Sequence, residues 1–292
     1  MAERSPRTLD RPPALAPLLA RGALLSPVKK AALNRRHPEA GWPRTRLVLP
    51  GVRIDLARLA AYERVCGFPV GDDALPLTYP HVLGFPPAMR LMTDRTFPLP
   101  LLGLVHTSVE IVRWRPLTAT GRYELSVYVD ELAAHRRGTE ASVQTEVREG
   151  EELVWESRST YLARHGGGGS AGVPAGGSGS PEEREVLPHV AEWRLGGDVG
   201  RRYGAVSGDR NPIHLYPVTA RLFGFRRPIA HGMWTVARCV AAHGVPGAAM
   251  VRVEFRAPVL LPGVVDYAAD GFGNFELRGG GRVHLLGEVR AV

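Results

Sequence analysis

The chain has 292 residues, of which 44% are hydrophobic, and a formal net charge of +8. This length predicts one large domain or two modest ones with a sizeable core. The arginines are scattered and no basic run alternates with stacking aromatic residues, so the charge does not indicate nucleic acid. A small phosphorylated ligand or an acidic carrier protein fits a modest positive excess better. A general richness in Arg, Ala and Gly explains the charge equally well.

The cysteine count and the hydropathy pattern indicate the compartment. Cys66 and Cys239 are too few for a disulfide framework and form no metal-binding cluster, which favours a reducing compartment. No apolar run reaches about 18 residues, and the N-terminus lacks the apolar region of a secretory signal. We therefore predict a cytoplasmic protein without a membrane span.

The first elements in chain order are an arm and a helix. Residues 1–47 are rich in Pro, Arg and Ala and predict a basic N-terminal arm, with short helices around residues 14–23 and 28–34. Helical spacing over residues 54–65 predicts a helix that ends at Gly67.

A first domain is predicted at residues 48–164. After Pro-rich punctuation, residues 88–92 predict a short buried helix. Four runs rich in β-branched and aromatic residues then predict antiparallel strands at 103–114, 121–129, 139–147 and 153–163.

A Gly/Ser-rich run at residues 165–180 predicts a flexible linker, and residues 181–292 form the second predicted domain. Asp198 is positioned to cap a helix that runs to about Val206, and a second helix is predicted at residues 233–242. Four strands are again predicted, at 248–259, 264–269, 272–277 and 282–289.

The two halves also match letter by letter. Tyr62-x-x-Val-Cys-Gly67 aligns with Tyr203-x-x-Val-Ser-Gly208 at a constant offset, and Val109-Glu-Ile111 matches Val253-Glu-Phe255. Two copies of one unit therefore explain the length better than two unrelated domains.

Only the second copy carries a polar turn after this motif. Small residues and a proline break the chain where Asp209, Asn211 and His214 occur, so three polar side chains project from a tight turn. At the same offset the first copy has Phe68 and Val70 in place of Asp209 and Asn211, and its Asp73 aligns with His214.

Each of these residues also has a structural interpretation. Asp209 and Asn211 are common turn formers. His214 could also be a buried structural histidine. For His231, a structural role or a position at a helix start is favoured over catalysis. Ser207 either bonds to Asp209 or merely fits the turn, and Tyr203 is predicted to belong to the core.

Other patterns indicate no separate chemistry. The histidines lack metal-ligand spacing, the Gly-rich run at 166–169 is not followed by the Lys-Ser/Thr of a phosphate loop, and no Gly-x-Ser-x-Gly elbow occurs. We predict no bound metal. For four arginines, two roles are equally consistent with the sequence, namely contact with ligand phosphates and plain exposure to solvent. These are Arg226, Arg227, Arg238 and Arg252.

The polar turn resembles the hydratase-2 motif of the MaoC-like dehydratases, the (R)-specific enoyl-thioester hydratases. Six residues stand at the family spacing: Ser207, Gly208, Asp209, Asn211, Pro212 and His214. Residues 230–233 resemble the segment that opens the family's central helix. The resemblance covers mainly residues 198–260, and the first half is similar to the degenerate copy of two-domain members.

The resemblance implies an α+β double hot-dog fold, in which two antiparallel sheets each wrap around a central helix and form an intramolecular pseudo-dimer. Residues 48–164 would be the degenerate hot-dog domain and residues 181–292 the catalytic one. The implied reaction, in fatty-acid or other lipid metabolism, is dehydration of (3R)-3-hydroxyacyl thioesters to trans-2-enoyl thioesters, or the reverse hydration. It implies no cofactor, because the substrate is a thioester of coenzyme A or of acyl carrier protein.

This chemistry requires a base, an acid and a group that stabilises charge on the thioester carbonyl. We assign His214 to proton transfer at the α carbon and Asp209 to the leaving hydroxyl or the attacking water. The backbone N–H of Gly232, at a helix start, is expected to polarise the carbonyl. Asn211 is expected to orient Asp209 or the water, with support from Ser207.

We expect the inert copy to form one wall of the acyl pocket, through Phe68 and Val70. Pro228, Ile229 and Met233 are predicted to line the same pocket from the second copy.

Two alternatives stay open at this point. One is a hot-dog acyl-thioesterase, and the other is a catalytically silent subunit that binds acyl thioesters. The sequence does not choose between coenzyme A and acyl carrier protein, and it leaves further homo-oligomerisation open.

Overall fold

The computed structural model describes residues 5–33, 42, 44–164 and 186–292. The N-terminal arm forms strand β1 (Ser5–Thr8) and helix α1 (Leu15–Leu33). The two short helices predicted for the arm are therefore a single helix, which continues through Pro27. The predicted linker, residues 165–180, lies outside the described residues, so the proposed domain boundaries stay predictions.

The first half of the chain contains one strand, two helices and then four strands. These elements are β2 (Thr45–Arg53), α2 (Leu56–Cys66), α3 (Tyr79–Met92), β3 (Val105–Arg113), β4 (Arg122–His135), β5 (Gly138–Glu149) and β6 (Glu152–Arg164).

The second half repeats this order, with an additional short helix before its central helix. Its elements are β7 (His189–Leu195), α4 (Val199–Ser207), a 3₁₀ turn (Pro212–His214), α5 (Pro217–Leu222), α6 (Gly232–His243), β8 (Ala249–Phe255), β9 (Gly263–Ala269), β10 (Asn274–Gly279) and β11 (Arg282–Ala291).

The eight strands predicted for the two halves are present, whereas β1, β2, β7 and α5 were not predicted. The buried helix predicted at residues 88–92 is much longer, because α3 begins at Tyr79 and contains Pro86 and Pro87. Most of its side chains are buried. Tertiary packing therefore outweighs the local cost of the two prolines. Asp198 does stand at the N-cap of α4, but its side chain makes no capping hydrogen bond.

The strands form one sheet in the order β1-β2-β4-β5-β6-β3-β8-β11-β10-β9-β7. Helix α3 packs on β4 and β5 of the first half, and α6 packs on β10 of the second. This arrangement confirms the double hot-dog fold. The two sheets are joined edge to edge by the antiparallel pair β3 and β8 and are therefore continuous.

The pairing of β3 with β8 has the register of an intramolecular pseudo-twofold axis between the two halves. Val109 and Val253, which match in the repeat alignment, lie directly opposite each other in the β3–β8 pair. Equivalent residues face each other in this way only at a twofold axis. Tyr62 and Tyr203, another matched pair, are both buried, and their ring centroids lie 6.1 Å apart. The prediction that Tyr203 belongs to the core is confirmed.

Polar contacts fasten the two halves beside this axis. Arg58 of α2 donates from Nε to the carbonyl of Val206 at 2.7 Å and from Nη2 to that of Ser207 at 3.2 Å. These carbonyls belong to the last turn of α4, which has no helical donors for them. In return, the indole N–H of Trp234 in α6 donates to the carbonyl of Val65 at 2.9 Å. Each half therefore supplies hydrogen-bond donors that the other half needs.

No helix among the described residues is long and apolar enough to cross a membrane. Both cysteines are buried and unpaired.

Candidate active site

The loop that follows α4 holds Asp209 in a fixed position. Gly208 ends the helix with φ +84°, a left-handed conformation that favours glycine. The Ser207 hydroxyl donates to the carbonyl of Tyr203 at 2.8 Å and accepts from the backbone N–H of Asp209 at 3.2 Å. One carboxylate oxygen of Asp209 accepts from the backbone N–H of Asn211 at 3.1 Å. The loop therefore orients the carboxylate mainly through its own backbone.

Asn211 contacts both Asp209 and the turn that follows. Its side-chain oxygen accepts from the backbone N–H of Ile213 at 3.4 Å and caps the 3₁₀ turn. Its backbone, and not its amide side chain, is the group that contacts Asp209. Orientation of a water molecule by the amide stays a prediction.

His214 ends the 3₁₀ turn and is buried. Its Nδ1 lies 2.8 Å from the carbonyl oxygen of Ile229. A carbonyl can only accept, so Nδ1 carries the proton and Nε2 keeps its lone pair in the neutral ring. A Cβ at Gly200 of α4 would lie 2.0 Å from the carbonyl oxygen of His214. The 3₁₀ turn therefore packs directly against the backbone of this glycine.

His231 connects the other two polar groups of the site. It is buried at the N-cap of α6, and its ring stacks on that of His214 with centroids 3.7 Å apart. Its Nε2 lies 2.9 Å from the carbonyl oxygen of Asp209 and 3.8 Å from a carboxylate oxygen of the same residue. From the sequence we expected a structural or helix-start role for His231. The structure confirms the helix start and also places the ring against both predicted catalytic residues.

Burial controls the charge state of these rings. It lowers the pKa of His214 to about 3, with a smaller lowering by His231 and an opposing effect of the Asp209 carboxylate. Burial also lowers the pKa of His231, again opposed by Asp209. Both imidazoles are therefore neutral near pH 7, and His214 can accept a proton at Nε2.

Gly232 opens α6 directly beside these rings. Amide N–H groups in the first turn of a helix have no partner inside the helix and point toward the positive end of its dipole. A Cβ at Gly232 would lie 3.0 Å from the ring of Phe255, so the absence of a side chain keeps the backbone close to this ring. Pro228, Ile229 and Met233 flank the same helix start and are buried.

The first half contributes an aromatic and histidine wall that the sequence analysis missed. His106 stacks on Tyr161 with ring centroids 4.5 Å apart and contacts Phe255 at 4.8 Å, and His81 lies 6.3 Å from His106. Among the described residues, Nδ1 of His81 and Nε2 of His106 are buried without a hydrogen-bond partner. One signal was available, because His81 lies in the first turn of α3 just as His231 begins α6.

The charge of Asp209 affects the pKa values of two side chains of this wall, His81 and Tyr161. Burial lowers the pKa of His81 to about 4, and the Asp209 carboxylate opposes the fall. Burial raises the pKa of Tyr161 to about 12, and Asp209 adds to the rise. For His106, burial and then His81 lower the pKa to about 3. The wall therefore presents neutral polar groups toward the loop.

A small cavity lies next to this wall, between α3 and strands β5 and β6. Its lining residues are His81, Gly84, Phe85, Ala88, Val143, Thr145, Ser159 and Tyr161. The predicted wall residues Phe68 and Val70 lie elsewhere. Phe68 stacks on Tyr62 at 6.3 Å, and Val70 is 47% exposed. Their influence on acyl-chain preference stays a prediction.

Asp209, His214 and His231 also form a potential set of metal ligands. Their ligand atoms all lie within 4.8 Å of one another. One nitrogen of each ring is already engaged by a backbone carbonyl. The expectation that the site works without metal remains open to test.

The fold and this loop define a double hot-dog enzyme that holds an aspartate and two histidines at the start of one central helix. The MaoC-like domain family matches residues 192–283. The chain is 36% identical over 260 residues to 3-hydroxyacyl-thioester dehydratase X of Mycobacterium tuberculosis, covering 86% of this chain and 90% of that protein. The protein belongs to the MaoC-like family and is a hydro-lyase.

Solved structures agree with this assignment. The crystal structure of HtdX of Mycobacterium tuberculosis matches with a TM-score of 0.72 and 35% identity, over 85% of this chain and 100% of that one. A MaoC-like dehydratase from Phytophthora capsici shares the fold at 19% identity, with a TM-score of 0.65 over 85% of this chain and 94% of that one.

Proposed function

We propose that the protein interconverts (3R)-3-hydroxyacyl thioesters and trans-2-enoyl thioesters, with His214 and Asp209 as the base and the acid. The observation that carries the proposal is the convergence of Asp209, His214 and His231 within 4.8 Å, beside the start of α6. The dehydratase activity in the name of the mycobacterial relative supports the reaction class.

In the dehydration direction, His214 removes the proton at the α carbon. The proton goes to Nε2, because Nδ1–H is held by the carbonyl of Ile229 at 2.8 Å. The buried environment keeps the ring neutral and ready to accept this proton. As the proton leaves, negative charge develops on the thioester carbonyl oxygen.

Gly232 is the group we assign to that developing charge. Its backbone N–H lies in the first turn of α6, where amide groups and the helix dipole together favour an anionic oxygen. Removal of one such donor costs about 10²–10³ in turnover in well-studied enzymes.

Asp209, in its carboxylic acid form, protonates the leaving hydroxyl at the β carbon, so the C–O bond breaks, the C=C bond forms and water departs. In the hydration direction the carboxylate takes a proton from the attacking water. His231 acts as a positioning residue, since its Nε2 donates to the backbone of Asp209 at 2.9 Å while its ring supports that of His214 at 3.7 Å.

We place the acyl chain along the wall that the first half contributes, beside His81 and Tyr161. The Asp209 carboxylate acts on the pKa of both side chains, which supports this placement. The inert half would then provide a wall, as we expected from the sequence.

The proposal is tested by hydration of crotonyl-CoA, followed as loss of the conjugated absorbance beside a free-thiol assay. Asp209→Asn and His214→Ala are each expected to lower kcat by about 10²–10⁴. The chain offers a matched control in His189 and Asp266, an exposed histidine–carboxylate pair 3.7 Å apart. His189→Ala and Asp266→Asn should leave the rate unchanged.

Other outcomes separate the alternatives. Release of free thiol would support the thioesterase. Binding of crotonyl-CoA without turnover by the unmodified protein would support the silent subunit. Formation of the (3S) hydroxyacyl product would contradict the assigned stereochemistry.

A further inference from the structure

The surface around the catalytic loop is strongly basic. Between residues 199 and 243, from the start of α4 to the end of α6, there are seven arginines, and Asp209 is the single acidic residue. The equivalent stretch of the first half, residues 56–92, has three arginines and three acidic residues. The charge excess is therefore specific to the half that carries the catalytic loop.

Six of the seven arginines are exposed, and we call these six the basic face: Arg201, Arg202, Arg210, Arg221, Arg226 and Arg227. Among the described residues, none of them forms an ion pair with a carboxylate. Arg201 donates to the carbonyl of Leu215 at 3.0 Å, and Arg227 to that of Pro262 at 2.8 Å. These bonds hold the guanidinium groups of Arg201 and Arg227 in place through neutral carbonyls, which do not neutralise their charge.

The structure also separates the four arginines that the sequence left open. Arg252 pairs with Glu110 at 2.6 Å, and Arg238 stacks on Trp193 at 4.5 Å. Those two have structural partners. Arg226 and Arg227 are the two that belong to the basic face.

Apolar side chains are exposed on the same surface. Tyr216, Val218 and Leu222, on and beside α5, are 54%, 70% and 79% exposed. Helix α5 is attached to the catalytic loop, because the hydroxyl of Thr219 donates to the carbonyl of Pro212 at 2.6 Å. Exposed apolar side chains surrounded by charge are typical of a protein-binding surface.

We infer that the basic face and the apolar residues of α5 form a docking surface for acyl carrier protein, which delivers the thioester to the adjacent site. The inference rests on the proposed function and chooses between the two carriers that the sequence left open. An acidic carrier protein complements the uncompensated arginines and also covers the three apolar side chains. The phosphates of coenzyme A would use the arginines but leave these side chains exposed. A second copy of this chain would bring its own net charge of +8 to the surface and be repelled.

The test compares crotonyl-loaded acyl carrier protein with crotonyl-CoA as substrates. In the double variant Arg221→Glu and Arg226→Glu, we expect KM for the carrier-bound substrate to rise by about 10-fold or more, and to depend less on salt. The kinetic constants for crotonyl-CoA should stay within about twofold. Val218→Ser with Leu222→Ser should weaken the carrier in the same selective way.

The control reverses two exposed arginines of the first half. Arg53 and Arg122 face each other across β2 and β4, and Arg53→Glu with Arg122→Glu changes the net charge by the same amount. This control should not alter KM for either substrate. A rise in KM that is equal for both substrates would show a coenzyme A phosphate site and overturn the inference, and so would an unchanged KM for the carrier-bound substrate.

Direct binding keeps the test independent of the reaction. Holo acyl carrier protein should bind the Asp209→Asn variant as tightly as the unmodified enzyme, and the Arg221/Arg226 reversal should weaken this binding. If the unmodified protein turns over neither substrate, the proposed function fails while the binding result still decides the docking surface. A shift in oligomeric state after the α5 substitutions would identify a contact between copies and contradict the inference.

Discussion

Gly200→Ala should inactivate the enzyme while it leaves the helix intact. Alanine in place of glycine inside a helix normally stabilises the helix by about 1 kcal/mol. Here, however, the added Cβ would lie 2.0 Å from the carbonyl oxygen of His214 and 3.0 Å from its carbonyl carbon. The 3₁₀ turn must retreat by about 1 Å or more to reach ordinary contact, and the imidazole moves with it.

A displacement of about 1 Å at a catalytic group can reduce turnover by about 100-fold, equivalent to roughly 2.7 kcal/mol of transition-state stabilisation. We therefore expect kcat/KM for crotonyl-CoA to fall by about two orders of magnitude, with a change in Tm of only a few degrees. Initial rates and thermal unfolding by circular dichroism measure the two effects.

Two further variants calibrate this prediction. At Gly204 an added Cβ would lie 2.8 Å from the carbonyl oxygen of Asp209, a milder conflict, so Gly204→Ala should lose less activity than Gly200→Ala. Ala205→Gly, at an exposed position of the same helix, should lower Tm without affecting kcat/KM. If Gly200→Ala keeps kcat/KM within twofold of the unmodified enzyme, the placement of His214 does not limit the rate and the reasoning is refuted.

Four other predictions follow from the site and the contacts between the halves. Burial lowers the folded-state pKa of His214 to about 3, so its neutral form persists as pH falls. A pH–rate profile of kcat/KM should therefore show no acid limb near pH 6.5. A limb at that pH would contradict the assignment of His214 as a buried, neutral base. The same shift means that the unfolded chain binds more protons below about pH 6.5, so Tm should fall as pH drops from 6.5 toward 4; a constant Tm would count against it. Arg58→Met leaves the carbonyls of Val206 and Ser207 without their guanidinium donor. Chemical denaturation should then show an unfolding free energy that is lower by about 1.5–3 kcal/mol. An unchanged unfolding free energy would mean that solvent replaces these hydrogen bonds. Dialysis against a chelator should leave activity intact, and loss that is restored by a divalent metal would assign the cluster around Asp209 to metal binding.

The repeat and its asymmetry were readable in the sequence because they depend on local patterns. The strand runs, the offset between Tyr62 and Tyr203, and the polar turn at Asp209 and His214 are all short-range features. Their local geometry follows from turn-forming residues, such as Gly208 in a left-handed conformation. The longer α3 was missed because its prolines predict a break, and only burial against β4 and β5 maintains the helix.

The residues of the first half that face the site could not be found in this way. His81, His106 and Tyr161 are separated from Asp209 by long stretches of chain, and no spacing rule relates them. Their proximity results from the pseudo-twofold packing, which brings the first half against the catalytic loop.

The sequence by itself determined that the chain contains two similar halves and that one of them carries an aspartate and a histidine in a polar turn. The tertiary structure decided which groups surround them. It placed the turn of His214 against Gly200 and stacked His231 on His214. It also left the arginines of the basic face without an ion pair to any carboxylate among the residues that the structure describes. The physical reason is that local conformation depends on neighbouring residues, whereas burial, charge state and the partners of a side chain depend on contacts between distant parts of the chain.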